Sequence, residues 1–284
     1  MTVTQNLTTE IIEEKLNELA EMDFNEMNSY EKIKSNVRFL MSNIDLYATI
    51  IPAGVLLYRC RINNEIDFFK SVSALSYNPN IDSIKKFGRA NEPMQSIFYS
   101  AFHIPTAIHE TLYNYSDYEE TQTITVGIWK CILNIPLLDI GGYINGYESE
   151  NTSVVLSFFN QYFSLLEVNE NNTLYKLSAA VANYIYPITG GIIYDSFKRR
   201  YLKIINDHTP DEKDLYPNKY IGERKVTIED YFNSNVAILP NLVNKYLRFC
   251  GAERHTFKKI APFEFKQCEI RKTNNIDEYN NIIW

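Results

Sequence analysis

Apolar residues recur at helical spacing in the first part of the chain. One stripe, spaced three or four residues apart, comprises Ile12, Leu16, Leu19 and Ala20. A second stripe of similar spacing comprises Ile33, Val37, Leu40, Met41 and Ile44. Such spacing is typical of amphipathic helices that bury one face. The pattern therefore predicts a helical N-terminal extension over residues 1–50, packed either on the body of the protein or on a second chain.

Short runs rich in β-branched and aromatic residues follow, separated by longer amphipathic runs. The short runs predict strands at 55–62, 97–101, 123–132, 137–140, 188–197 and 236–239, with a hairpin of alternating residues at 257–270. The longer runs predict helices at 106–113, 154–166 and 174–185. Residues 63–95 are polar and irregular, which is typical of a long connection that carries function.

Strands and helices are mixed along the chain without the regular alternation that a parallel sheet requires. This order favours an α+β fold over a doubly wound sheet. The sequence contains no internal repeat and no Gly/Ser-rich linker. We therefore expect one domain over residues 51–284, which includes a C-terminal strand tail, behind the helical extension.

Composition narrows the classes of function. The chain has 284 residues, 45% of them hydrophobic, which excludes disorder as a description of the whole. Its net charge of −7 disfavours a broad nucleic-acid-binding surface. No apolar run approaches the roughly 18 residues of a transmembrane helix, and the acidic N-terminus does not resemble a signal peptide. We expect a cytoplasmic protein whose partners include neither nucleic acid nor a membrane.

The cysteines and histidines indicate no metal site. The four cysteines are scattered, and none forms a CxxC pair. The four histidines show no zinc-ligand spacing with them. Scattered cysteines fit a reducing compartment. We expect neither a metal nor a bound cofactor.

One segment carries most of the candidate chemistry. It begins with the glycine turn Gly88-Arg89-Ala90-Asn91, continues to Tyr99 and closes with the carboxylate of Glu110. An arginine, an aromatic ring and one carboxylate suit a ligand that is anionic at one end and carries a flat, cationic ring at the other. A strand upstream places Arg59 and Arg61 on one face by the two-residue period.

Four pieces of the chain, in order, resemble the RES domain, a family named for its arginine, glutamate and serine. They are Leu57-Tyr58-Arg59, Gly88-Arg89-Ala90-Asn91, Phe98-Tyr99 followed by Ala107-Ile108-His109-Glu110, and Gly191-Ile192-Ile193-Tyr194-Asp195-Ser196. The resemblance covers roughly residues 50–245. The chain departs from the family pattern at Ala90, where a large aromatic residue is frequent, and at Met94, where glycine is frequent.

The resemblance implies a fold similar to ADP-ribosyltransferases, with a split, strongly bent sheet and NAD⁺ in the cleft. The implied activity is NAD⁺ degradation by phosphate or by water, with NAD⁺ as substrate. The family includes bacterial toxins of toxin–antitoxin systems, so the implied role is a toxin or defence effector. An antitoxin protein is then an expected partner, and the helical stripes of residues 1–50 leave self-association open as well.

The residue types suit that reaction. Cleavage of the nicotinamide bond needs little acid catalysis, because the leaving group is already cationic, and one carboxylate, Glu110, suffices to oppose the charge on the sugar. Arg59 suits the diphosphate, with Arg61 as an alternative. Four further residues are expected to contact the dinucleotide or hold the loop: Arg89, Asn91, Tyr99 and Ser196.

Two alternatives for the function stay open. The same cleft chemistry serves a transferase that modifies a macromolecule with ADP-ribose. The departures at Ala90 and Met94 leave room for a catalytically degenerate, RES-like binding module. The basic run Lys198-Arg199-Arg200 is interpreted as a solvated face, and His109 as a structural residue.

Overall fold

The computed structural model describes residues 9–63, 68–113, 121–141, 149–165, 173–196, 198, 203–205, 220–221 and 226–284. The helices in these ranges are α1 Thr9–Ala20, α2 Ser29–Met41, α3 Ile104–Leu112, α4 Glu150–Phe163, α5 Tyr175–Thr189 and α6 Pro240–Tyr246. The strands are β1 Ala48–Ile51, β2 Leu56–Ile62, β3 Phe98–Ala101, β4 Thr121–Cys131, β5 Ile135–Asp139, β6 Gly191–Asp195, β7 Lys203–Ile205, β8 Tyr220–Ile221, β9 Val226–Thr227, β10 Ser234–Ile238, β11 Leu247–Ala261, β12 Glu264–Thr273, β13 Asn275–Ile276 and β14 Ile282–Ile283.

Ten strands form one mixed sheet in the order β1-β5-β6-β10-β3-β2-β4-β11-β12-β7. Most neighbours are antiparallel, and β5–β6 and β12–β7 are parallel pairs. A largely antiparallel sheet with helices packed on it is an α+β architecture, which confirms the predicted fold class.

Most predicted strands and helices occur where the hydrophobic pattern placed them, with shifted ends. The prediction of a helical extension over residues 1–50 is wrong at its end, because Ala48–Ile51 form β1, which pairs with β5. Residues 1–8 lie outside the described residues. The strand predicted from 188 begins at Gly191, because α5 continues to Thr189 and ends at Gly190. Gly190 has a φ of 77°, the left-handed conformation that glycine adopts most readily at a helix end. The predicted element ends at 166 and 197 lie outside the described residues.

The N-terminal helices pack on the body of the protein. Residues of both apolar stripes, among them Ile12, Leu16 and Val37, are buried in one core with residues of α4 and α5. Lys176, on α5, reinforces this contact, because its Nζ donates to the Phe24 carbonyl at 2.5 Å. Helix α2 is therefore fixed against the helical layer that covers one half of the sheet.

The sheet opens between β2 and β3. The two strands share one register pair, Tyr58 with Ala101, although β2 continues to Ile62. Helix α3 packs on the β2 side of this opening, in a core with Tyr58. The layer of α4 and α5 packs on the β6 side, in a core with Tyr194. A gap is left between the two helical layers where the strands diverge.

Candidate functional site

A cavity of about 1000 Å³ occupies this gap. Its described lining comes from β2, β3, α3, α5, β6, β10 and the loop before β3. Its charged members are Arg59, Arg61, Arg89, Lys198 and Glu110. Four cations and one carboxylate thus line the cavity, in a protein whose net charge is −7. The cavity is a local exception to the acidic character of the chain.

Glu110 lies in the last turns of α3, and its two carboxylate oxygens have different surroundings. Oε1 accepts hydrogen bonds from Ser196 Oγ at 2.6 Å and Asn235 Nδ2 at 3.0 Å. Oε2 lies 3.5 Å from Arg89 Nη1 and 3.9 Å from Lys198 Nζ. These two distances are ion-pair distances, longer than typical hydrogen bonds. Oε1 is therefore held by two hydrogen bonds, whereas Oε2 has ion-pair contacts and no hydrogen bond among the described residues.

The surroundings keep Glu110 ionised. Burial raises its pKa, but Arg89, Lys198 and the two hydrogen bonds to Oε1 oppose burial, and the net shift of the pKa is downward. Burial disfavours the charged form, and the two cations and two hydrogen bonds favour it. At neutral pH the cavity wall carries a fixed negative charge at Glu110.

Arg89 lies on a tight loop that several hydrogen bonds define. Gly88 N donates to Asn91 O at 3.0 Å, and a Cβ at position 88 would lie 2.2 Å from Asn91 Oδ1. The Arg89 guanidinium donates to Leu165 O at 3.2 Å. Burial lowers the pKa of Arg89, but Glu110 raises it and the net shift is upward. Arg89 is thus a permanent cation beside the carboxylate.

Tyr99 uses its hydroxyl to hold this loop. The hydroxyl accepts from Ala90 N at 2.9 Å and donates to Asn91 Oδ1 at 2.7 Å. Burial raises its pKa well above the usual value. The side chain is therefore neutral at physiological pH, with its ring on the cavity wall and its hydroxyl engaged.

Arg59 bridges the opening in the sheet. Its Nη1 donates to Tyr99 O at 2.7 Å, and its Nε donates to Ser76 O at 2.9 Å. Arg61 donates to the same Ser76 carbonyl at 2.8 Å. Burial, followed by the like charge of Arg61, lowers the pKa of Arg59 to about 9. Arg59 remains a cation at neutral pH, and several of its five N–H donors are left for a ligand.

The structure brings all the predicted site residues to this cavity. Arg59, Arg61, Arg89, Asn91, Tyr99 and Glu110 line it directly. Ser196 reaches it through its hydrogen bond to Glu110. His109 is buried beside them with Nδ1 2.5 Å from Pro105 O, as expected of a structural residue.

Lys198 corrects one sequence interpretation. The prediction of a solvated face is wrong for Lys198, which is buried, with Nζ 3.4 Å from Glu110 O and over the Tyr113 ring. The nearby Glu110 carboxylate stabilises the buried ammonium, and the sequence does not display that proximity. Arg199 and Arg200 lie outside the described residues.

Sequence reasoning also left out Asn235, Tyr175 and Tyr194. Asn235 directly precedes the apolar run Val236-Ala237-Ile238, and it is the second residue of β10. A polar side chain beside an apolar run was the available signal for it. Both tyrosines line the cavity. Tyr194 lies in the RES-like motif quoted above, although it was not assigned to the site, whereas Tyr175 carries no distinguishing signal in a chain with 21 tyrosines.

The described residues contain no cluster of three or more His, Cys, Asp or Glu side chains arranged to hold a metal ion. None of their helices has the length and apolar character needed to cross a membrane.

Comparison of the chain with protein-family models, with curated proteins and with solved structures finds no match in any of the three. The resemblance to the RES domain therefore stays a prediction that depends on the motifs quoted above.

Proposed function

We propose that the protein degrades NAD⁺ by cleaving the nicotinamide–ribose bond, with phosphate or water as the acceptor, on an ADP-ribosyltransferase-like fold. One observation carries the proposal. Glu110 lines a cavity that also has four cations in its lining. Its ionised Oε2 accepts no hydrogen bond from the described residues and has ion-pair contacts to Arg89 and Lys198. The opening of the sheet between β2 and β3 at that cavity supports the fold assignment.

The size and charge of the cavity suit a dinucleotide. Small-molecule sites commonly enclose about 300–1,000 Å³, and this cavity is at the upper end of that range. The two phosphates of NAD⁺ match the excess of cations, and arginine binds phosphate oxygens through paired, charge-assisted hydrogen bonds. The positively charged nicotinamide ring then needs a negative neighbour, which in the described lining is Glu110.

The chemistry requires little from the protein beyond charge placement. As the C–N bond breaks, its electron pair leaves with nicotinamide, which becomes neutral, and positive charge develops on the ribose. Glu110 Oε2 opposes that charge, while Ser196 and Asn235 hold Oε1 and so orient the carboxylate. An oxygen of phosphate or water then forms the new bond to the ribose carbon, and an attacking water releases one proton to solvent. Preorganised charge of this kind is a large contribution in many enzymes.

The test is direct product analysis. Purified protein is incubated with NAD⁺, with and without inorganic phosphate, and nicotinamide release is followed. The expected result is nicotinamide release by the parent protein and a large loss with Glu110→Gln. Free ADP-ribose would identify water as the acceptor, and its phosphorylated form would identify phosphate. Release at the same rate by both proteins would contradict the role of Glu110, and label transferred to lysate proteins would indicate a transferase instead.

A cellular test addresses the proposed role as toxin or defence effector. Expression of an NAD⁺-degrading enzyme in bacteria is expected to lower NAD⁺ and arrest growth. Glu110→Gln at equal expression should restore both NAD⁺ and growth. Growth arrest that persists with this variant would separate toxicity from the proposed chemistry.

A further inference from the structure

Three tyrosine hydroxyls from three different elements hold the loop that carries Arg89. Tyr99, on β3, bonds Ala90 N and Asn91 Oδ1. Tyr186, on α5, donates to Ala90 O at 2.6 Å. Tyr30, on α2, donates to Glu92 Oε1 at 2.6 Å. The third contact comes from the N-terminal helices, which lie outside the stretch that carries the candidate chemistry.

Tyr30 contacts the loop on both sides of Arg89. Its hydroxyl reaches Glu92, and its ring packs edge-on against Phe87 with the ring centroids 4.8 Å apart. Phe87 and Glu92 flank the turn from Gly88 to Asn91. A single side chain thus braces the two ends of the turn, and the turn sets the position of Arg89 beside Glu110.

The helix that carries Tyr30 is itself fixed. Tyr30 lies in the first turn of α2, next to Ser29, whose Oγ accepts from Lys176 Nζ at 2.8 Å. Asn25, just before the helix, accepts from Thr173 Oγ1 at 3.0 Å. Both partners lie at the start of α5. Because Tyr186 of α5 also donates to the loop, α5 holds both the start of α2 and the loop that carries Arg89.

We propose that Tyr30 is a positioning residue of the candidate site, which makes the N-terminal helix α2 part of the functional unit. Tyr30 acts through Glu92 and Phe87 to keep the Arg89 guanidinium 3.5 Å from Glu110. The kinetic part of this inference depends on the proposed function, and the structural part does not. Displacement of a charged group by about 1 Å is enough to change catalysis strongly.

The test compares Tyr30→Phe with Tyr47→Phe, a matched control at an exposed tyrosine. The first readout is the Glu110 carboxyl pKa, followed by NMR of ¹³C-labelled protein. We expect Tyr30→Phe to raise this pKa, because Arg89 is held less closely, and Tyr47→Phe to leave it unchanged. The second readout is kinetic. We expect kcat for nicotinamide release to fall about tenfold, equivalent to about 1.4 kcal/mol, with KM within about twofold, because Glu110 acts on charge that develops in the transition state.

Variants at Glu92 separate positioning from general stabilisation. Glu92→Gln keeps an acceptor for the Tyr30 hydroxyl and should preserve both readouts. Glu92→Ala should reproduce Tyr30→Phe, and the double variant should add nothing, because both changes remove one contact. Thermal unfolding verifies that each variant is folded. An unchanged Glu110 pKa in folded Tyr30→Phe would overturn the inference, whereas a parent protein that does not consume NAD⁺ would overturn the proposed function and leave the pKa comparison valid.

Discussion

Among the described residues, Glu110 and Glu253 each lie beside cations, Glu253 buried and Glu110 partly buried, and their hydrogen bonding differs. Glu110 on α3 and Glu253 on β11 both have a pKa that neighbouring groups lower against the opposing effect of burial. Glu253 accepts from Lys272 Nζ through Oε1 at 2.7 Å and contacts His255 Nε2 through Oε2 at 3.1 Å. Both oxygens of Glu253 are hydrogen-bonded, whereas Glu110 Oε2 has ion-pair contacts alone among the described residues.

The network around Glu253 is closed. Gln267 Nε2 donates to His255 Nδ1 at 2.8 Å, and His255 Nε2 lies 3.1 Å from Glu253 Oε2. His255 is fully buried, and neither residue belongs to the cavity lining. A buried polar network whose groups are satisfied specifies a packing arrangement. A buried carboxylate with one oxygen left for a ligand is the arrangement expected of a binding or catalytic site.

The sharpest test of this comparison exchanges each carboxylate for its isosteric amide. Glu110→Gln is expected to lower NAD⁺ consumption by about 10²–10³-fold, the usual cost of losing one preorganised electrostatic group. Glu253→Gln should leave the rate per folded molecule within about twofold. The measurement is the rate of nicotinamide release per folded molecule. Equal losses of rate in the two variants would show that the two glutamates do not differ in function.

Removing the cation beside Glu110 is expected to have the next largest effect. Burial raises the Glu110 pKa and Arg89 lowers it. Arg89→Gln removes the lowering effect of Arg89, so we expect the Glu110 pKa to rise. The parent needs ionised Glu110 and should lose activity only as pH falls below the usual glutamate pKa of about 4.3. The acid limb of the variant should move to higher pH, with a rate at neutral pH lowered about tenfold or more.

Arg89→Lys serves as the matched control. It keeps the positive charge, so its acid limb should stay near that of the parent even if the lost contact to Leu165 slows the reaction. The pH dependence of kcat is the measurement. An acid limb that moves equally in both variants would show that the guanidinium geometry, and not the charge, holds Glu110 ionised.

The hydrophobic pattern was sufficient to predict the α+β class and most elements, because long periodic runs record which face of an element is buried. Strand β1 escaped prediction because it follows directly on the helical stripes and was assigned to the same extension. Helix α6, with seven residues, and the strands of two or three residues are too short to display a period. The site was also predicted only in part, because a sequence pattern shows local features and not contacts between distant segments. Motif spacing indicated Glu110, Arg59 and Tyr99, but the pairing of Lys198 with Glu110 depends on contacts between distant segments, which spacing along the chain does not show.

Substitutions in the network around Glu253 are expected to change the stability of the protein and to leave its activity unchanged. Gln267→Leu removes the donor to His255 Nδ1 and leaves that buried acceptor unsatisfied. We expect the free energy of unfolding to fall by about 1–3 kcal/mol, measured by urea denaturation. Nicotinamide release by the folded fraction should match the parent. A loss of activity at unchanged stability would place this network in the functional site.

The smallest effect is expected at the solvent-facing end of the same network. Lys272 is half-exposed, so Lys272→Ala should lower the free energy of unfolding at pH 7 by no more than about 1 kcal/mol, less at high salt. The folded-state pKa of Glu253 is depressed, so the stability it contributes is present above the unfolded pKa of about 4.3 and is lost as pH falls through the folded pKa. The difference between variant and parent should therefore disappear in acid. Lys258→Ala, at an exposed lysine of β11, controls for the loss of a surface charge. If both variants lower the free energy of unfolding equally at every pH, Lys272 stabilises the protein by a route other than Glu253.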